Sequence, residues 1–280
     1  MTKATARWEA GARVVAACLV VVGVHEVIMG KLTGKVAIVT GATSGMGAGI
    51  AELFAREGAA IVAGGRNAAR GAALVDRLRT AGARAEFVAG DVATLEANQA
   101  LVRAAVDRFG GVNTLVMSAG ELGLGSVTDV ALETWHSTIG ANLHAVFYLC
   151  RLAIPEMKKG GGGTIVVNGS IAAYKGFPNH AAYCASKGAL IPFVKQMARD
   201  YGPGIRVNLM CPGPVDTPLI WDSAKAFPDP ATAVQAAADG TVQKRLGLPR
   251  DIANLALFLA TEDSSWMTGA SIPIDGGALC

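Results

Sequence analysis

The sequence predicts an α/β protein built on a single doubly wound parallel sheet of about seven strands, with helices on both faces. Three observations carry that expectation. Short apolar runs alternate with stretches of helical spacing from Lys35 almost to the C-terminus. Glycine, at 35 of 280 residues, recurs where an apolar run gives way to a helix, as tight strand-to-helix turns require. With 51% apolar and 17% charged residues, the chain can fill a core on each side of a sheet.

The elements follow in order. Val36–Thr40 reads as a first strand, and the glycine-rich turn Gly41-Ala-Thr-Ser-Gly45-Met-Gly47 follows it directly. A helix over Ala48–Glu57 then stops at Gly58. Ala60–Gly64 is a strand, Ala68–Thr80 a helix closing before Gly82, and Ala85–Val88 a third strand. Helix Leu95–Phe109, strand Thr114–Met117, a long helix near Trp135–Lys158 and strand Thr164–Asn168 continue the alternation. A helix beginning at Tyr183 leads to strand Arg206–Cys211, a proline-rich irregular stretch, helix Asp251–Ala260 and strand Ser271–Ile274. Pro192 stands inside the Tyr183 helix, where a lost hydrogen bond costs roughly 3 kcal/mol. The carbonyl it faces belongs to Gly188, so a kink is expected rather than a break. No internal repeat or long linker interrupts residues 29–280, which read as one domain with a lid at about 214–245.

Residues 1–28 stand apart. Arg7 and Arg13 precede Val14–Val24, an apolar run of eleven, whereas a bilayer span needs about 20. The run is apolar around its whole circumference and lacks the polar face of an interfacial helix. It is expected to be an extension dispensable for fold and catalysis; a start codon placed too early, a membrane-surface segment and a helix packed on the domain are the competing explanations. Membrane contact is not expected.

Composition narrows the function classes. A net charge of +3 without a Lys/Arg block argues against nucleic acid. The five cysteines show no CxxC pair, and the four histidines do not cluster with acids. They read as reduced thiols of a cytoplasmic protein, with no metal site.

The chemistry concentrates in Ser170–Lys187. Tyr183 and Lys187 are four residues apart and share one helix face; Ser170 stands thirteen residues before the tyrosine. A phenol titrates near 10, and a fixed ammonium beside it favours the phenolate. With a serine hydroxyl to hold an oxygen, the three form acid–base equipment for an alcohol or carbonyl. A Tyr–Lys pair at this spacing also occurs on helices that only pack. The Gly41–Gly47 turn divides similarly: a phosphate site at a helix N-terminus, or merely a tight turn.

Taken together, these motifs resemble the short-chain dehydrogenase/reductase family, whose fold is of the Rossmann type. The resemblance runs from about Gly30 to Ala278. It rests on Thr40-Gly-Ala-Thr-Ser-Gly-Met-Gly47, Asp91-Val92, Ala119-Gly120, Asn142, Ser170, Tyr183-x-x-x-Lys187, Pro212-Gly213 and Asp275-Gly-Gly277. It implies that Gly41, Ser44, Gly45, Met46 and Gly47 lie under a cofactor pyrophosphate. It further implies that Asp91 and Val92 meet the adenine, while Ala119, Gly120, Pro212, Gly213, Val215 and Thr217 line the cofactor site. Tyr183 would be the acid/base, Ser170 the holder of the substrate oxygen, and Lys187 the partner of both ribose and tyrosine. Asn142 would position a relay water. The chain departs from the family pattern at Met117-Ser118, where two asparagines are usual, and at Asn113, where an acid is common.

The second strand ends Gly64-Gly65-Arg66 with no acid. An arginine there accommodates a 2′-phosphate, so NADP(H) is the expected cofactor, with NAD(H) the alternative. Tyr174, Phe177, Cys184, Leu219, Ile220, Trp221 and Phe227 are expected to line an apolar pocket, and Lys225 is the only cation in 214–238. That favours an apolar secondary alcohol or ketone, cyclic or aryl, as the small-molecule partner. A 3-oxoacyl thioester (acyl-carrier protein) reductase and a non-catalytic cofactor-sensing scaffold are the rival readings. The resemblance also implies a homotetramer, pairing through the Trp135–Lys158 and Tyr183 helices.

Overall fold

The computed structural model describes residues 30–280, and the expectations for residues 1–28 lie outside them. Seven strands form one parallel sheet: β1 Val36–Thr40, β2 Ala60–Gly65, β3 Ala85–Ala89, β4 Thr114–Met117, β5 Gly163–Asn168, β6 Ile205–Pro212 and β7 Ser271–Ile274. Their order is β3-β2-β1-β4-β5-β6-β7. The strand order therefore reverses between β1 and β4, which opens a crevice at the carboxyl ends of those strands. Thr40 pairs with both Gly64 and Met117, and Met117 with Val167. That register brings four strand ends, with their motifs, to one level.

Alternation along each strand builds two cores. Ile38, Leu115, Met117, Ile165 and Val167 face one way. They meet Leu101 and Ala105 of α3 (Leu95–Phe109), Leu149 and Ala153 of α5 (Ala145–Lys159), and Leu190 and Val194 of α6 (Ala181–Tyr201). Ala37, Val39, Val116 and Val166 face the other way. Against them pack Ile50 and Phe54 of α1 (Gly45–Arg56), Leu74 and Leu78 of α2 (Ala68–Thr80), and Ile252 and Leu259 of α9 (Pro249–Ala260). A strand buried on both faces must be apolar throughout rather than alternating, and β1, β2 and β4 are buried along their whole length.

One expectation needs correction. The stretch after β6 is not irregular: it holds α7 (Pro218–Ala224) and α8 (Pro230–Asp239). Both begin with proline at the first turn, where its missing N–H costs nothing and its fixed φ suits a helix. Asp229 caps α8 by accepting from the N–H groups of Ala231 and Thr232. The long helix forms as expected and runs from α4 (Leu132–Ile139) into α5 through a wide π-helical turn at Gly140–His144, with right-handed helical backbone on both sides of the turn. Pro192 leaves α6 continuous to Tyr201. Asn113 has a structural use, its Oδ1 accepting from Val36 N at 2.9 Å to tie the start of β1.

Candidate active site

Two cavities meet above the carboxyl ends of the strands. One, of about 340 Å³, is lined by the Gly41–Gly47 turn, Arg66, Asp91, Val92, Ala119, Gly120, Lys187 and Thr217. The other, of about 310 Å³, is lined by Ser170, Pro212, Gly213, Val215, Thr217 and a mostly apolar wall. Tyr183, Met46 and Thr217 line both.

The first cavity is shaped by backbone. Gly41 has φ +67°, and a Cβ there would lie 2.7 Å from Ala119 N. A Cβ at Gly47 would lie 2.3 Å from Gly41 O. Only glycine lets this turn fold under the loop after β4. No side chain caps the N-terminus of α1, so its leading N–H groups are available to an anion. One oxygen of Asp91 accepts from Ala93 N at 3.0 Å, fixing the carboxylate at the cleft edge. Asn168 contributes a buried Oδ1 that has no partner among the described residues. A cleft with uncapped helix N–H groups, close-packed glycines and a spare buried acceptor suits a dinucleotide.

At the junction, α6 presents its first turns. Tyr183 and Lys187 are both buried, and Nζ of Lys187 lies 5.7 Å from the centre of the Tyr183 ring. That Nζ donates to Asn168 O at 2.9 Å. Burial lowers the ammonium pKa to about 8. Burial also pushes the Tyr183 phenol up to about 12, while the Ser170 hydroxyl beside it pulls the other way. Desolvation thus outweighs the expected effect of the lysine on the phenol, which is held as an acid. Ser170 is fixed as the cap of a short 3₁₀ turn, its Oγ accepting from Ala172 N at 3.0 Å.

Asn142 lines neither cavity; it sits in the π-helical turn, 1% exposed. Its Oδ1 accepts from Glu121 N at 2.8 Å, and Nδ2 donates to Glu121 O and to Ser186 Oγ. The amide is therefore spent on clasping the loop after β4. Ser118, at a position where the family usually has asparagine, accepts from Asn168 Nδ2 at 3.0 Å. The cross-strand brace survives with the amide moved from β4 to β5.

Of the expected pocket residues, Phe177, Leu219, Ile220 and Phe227 line the second cavity. Tyr174, Cys184 and Trp221 do not. The Tyr174 hydroxyl accepts from Cys211 Sγ at 3.7 Å, Cys184 packs behind Tyr183, and Trp221 is half exposed. Lys225 is paired with Asp222 outside the cavity; the charged side chain on the wall is Lys175. His180 also lines it, buried. Its Nδ1 lies 2.6 Å from Pro178 O, which can only accept, and its Nε2 is hydrogen-bonded with the Ser223 hydroxyl of α7 at 2.8 Å. Sequence reasoning missed Glu121, Asn168, Lys175 and His180, because none belongs to a spaced motif.

The family model described as enoyl-(acyl carrier protein) reductase matches residues 41–278. The chain belongs to the short-chain dehydrogenase/reductase family. It is thus a nicotinamide-dependent oxidoreductase acting on CH–OH and C=O groups of small molecules. A 2,5-dichloro-2,5-cyclohexadiene-1,4-diol dehydrogenase of Sphingobium indicum is 37% identical over 248 residues, 88% of this chain and 97% of the relative. A 3beta-hydroxysteroid dehydrogenase of Mediterraneibacter gnavus is 36% identical, over 89% and 96% of the two chains. Among solved structures, the L-sorbose reductase of Gluconobacter frateurii complexed with NADPH and L-sorbose superposes with a TM-score of 0.84 at 36% identity, covering 90% and 98%. In this dehydrogenase/reductase, no helix among the described residues is long and apolar enough to cross a membrane.

Proposed function

We propose that the chain interconverts an apolar, cyclic or aryl secondary alcohol and its ketone with NADP(H), using Tyr183 as the acid/base. The observation that carries this reading is that Tyr183 lines both cavities with its phenol held protonated and Lys187 behind it. A ketone oxygen in the second cavity would accept hydrogen bonds from Ser170 and Tyr183. The nicotinamide, when bound, supplies or takes the hydride. As the oxygen gains charge, Tyr183 gives up its proton, and the buried ammonium of Lys187 stabilises the phenolate left behind. In the oxidative direction the phenolate takes the proton back. Lys187, on the wall of the first cavity, would also hold a ribose hydroxyl. Asn142 keeps the loop carrying Ala119 and Gly120 in place, and with it the floor of the first cavity. Arg66, at the cleft edge without an acid on β2, supports the choice of NADP(H).

The apolar wall of Phe177, Leu219, Ile220 and Phe227 supports a hydrophobic substrate, as do relatives named for cyclohexadiene diols and hydroxysteroids. A thioester carried on an acidic protein would need a basic rim, and among the described residues Lys175 is the one lysine or arginine on this cavity wall. The Trp135–Lys158 helix expected to pair in a tetramer carries an exposed Phe147, which favours that assembly. The test is a screen of cyclic ketones, steroids, aryl ketones and acetoacetyl thioesters with NADPH and NADH. Turnover confined to the thioesters, or absent throughout while NADPH still binds, would overturn the reading.

A further inference from the structure

Arg66 leaves β2 at the edge of the first cavity, and its guanidinium is already engaged. Nη1 lies 2.6 Å from Oε1 of Glu121, in the loop after β4. Since β1 lies between β2 and β4, the ion pair spans the end of β1 and the glycine turn beside it. Both residues line the same cavity. They are held unequally. The main chain of Glu121 is clasped on both its N–H and its C=O by the buried amide of Asn142, and its side chain is 28% exposed against 65% for Arg66. The carboxylate is the anchored partner, and the guanidinium the one free to move.

This arrangement offers an adenosine ribose two opposite readers. A 2′-phosphate needs the fork of Arg66. Glu121 occupies part of that fork, and any phosphate bound there would lie close to a carboxylate of like charge. A ribose with a free 2′-hydroxyl has neither conflict, because a carboxylate accepts a hydrogen bond from it. In this fold an acid usually serves that purpose from the end of the second strand. Here the acid comes from the far side of β1, placed by the loop after β4.

We propose that Glu121 is a specificity-determining residue that limits the preference for NADP(H) over NAD(H) by competing with the 2′-phosphate for Arg66. The proposal rests on the reading of Arg66 given above. Calorimetric titration with adenosine 2′,5′-bisphosphate and with 5′-AMP isolates the ribose contact without any turnover. Glu121→Gln keeps the side-chain shape and the backbone clasp while removing the charge. It should raise the ratio of bisphosphate to AMP affinity about five- to twenty-fold, and the NADPH-to-NADH ratio of kcat/KM in the same direction. In an Arg66→Ala background the same substitution should raise either ratio by a clearly smaller factor, because it then removes only the direct repulsion between the carboxylate and the 2′-phosphate, the competition for the guanidinium being already gone. An unchanged or lowered ratio in Glu121→Gln, or an equal rise without Arg66, would overturn the proposal. The wild-type ratio tests a separate point: tighter binding of 5′-AMP would refute the NADP(H) reading, and the direction of the Glu121→Gln shift would still decide the role of the acid.

Discussion

The two cavities that meet at Tyr183 are built on different plans. The first cavity is shaped by close main-chain approaches at the ends of β1, β2 and β4, with glycines at the points where segments nearly touch. The second cavity is lined by the turn after β5, the loop after β6 and the start of α6, with much of its apolar wall from α7, α8 and the segment between them. Backbone geometry varies little with side-chain identity, so the first cavity can keep one ligand class while the second is refitted by substitution. Tyr183 belongs to both and should respond to damage on either side.

The sharpest way to break this comparison is at the shared residue. Tyr183→Phe should lower kcat by about 10²–10⁴-fold and leave the dissociation constant for NADPH nearly unchanged, since only the proton donor is lost. Turnover above a tenth of wild type would mean that another group supplies the proton.

The pH profile probes the same junction from the lysine. With Tyr183 protonated up to about 12 and Lys187 charged only below about 8, the phenol remains an acid throughout the neutral range. The ammonium that stabilises the incipient phenolate disappears as pH rises. For ketone reduction, kcat/KM should therefore be level below pH 8 and fall toward tenfold per unit above it. A profile still level a unit and a half higher would show that the charge on Lys187 is not used.

Phe227 separates the two cavities, because it lines only the substrate side. Phe227→Ala should raise KM for an apolar ketone about tenfold, the usual worth of a well-packed hydrophobic contact, and leave KM for NADPH within twofold. An equal change in both would show that the cavities are not independent.

The smallest effect belongs to residues 1–28. A chain beginning at Met29 should keep its kinetics and its thermal midpoint. A drop of several degrees would reveal packing worth more than ~1 kcal/mol, since that amount moves a domain of this size by about 2–4 °C.

Local order fixed much of this molecule in advance. The period of apolar residues, the glycines that close turns and the four-residue step from Tyr183 to Lys187 act over a few residues, so strands, helices and the shared catalytic face could be read directly. Where local reading fails, one signal has two meanings: the stretch after β6 reads as irregular because it is rich in proline, yet Pro218 and Pro230 stand at helix starts, where proline is favoured. The wide turn at Gly140–His144 has Gly140 as its one local sign, and a lone glycine does not reveal a π-helical turn in a helical pattern. Other features depended on packing alone. Arg66 and Glu121 are 55 residues apart, and His180 and Ser223 are 43 apart; each pair meets only because the sheet order and the α7 helix bring it together. The acidity of Tyr183 and Lys187 was likewise decided by tertiary structure. Sequence shows that an ammonium stands near a phenol, but how much water both have lost depends on every element packed around them, and that loss dominates.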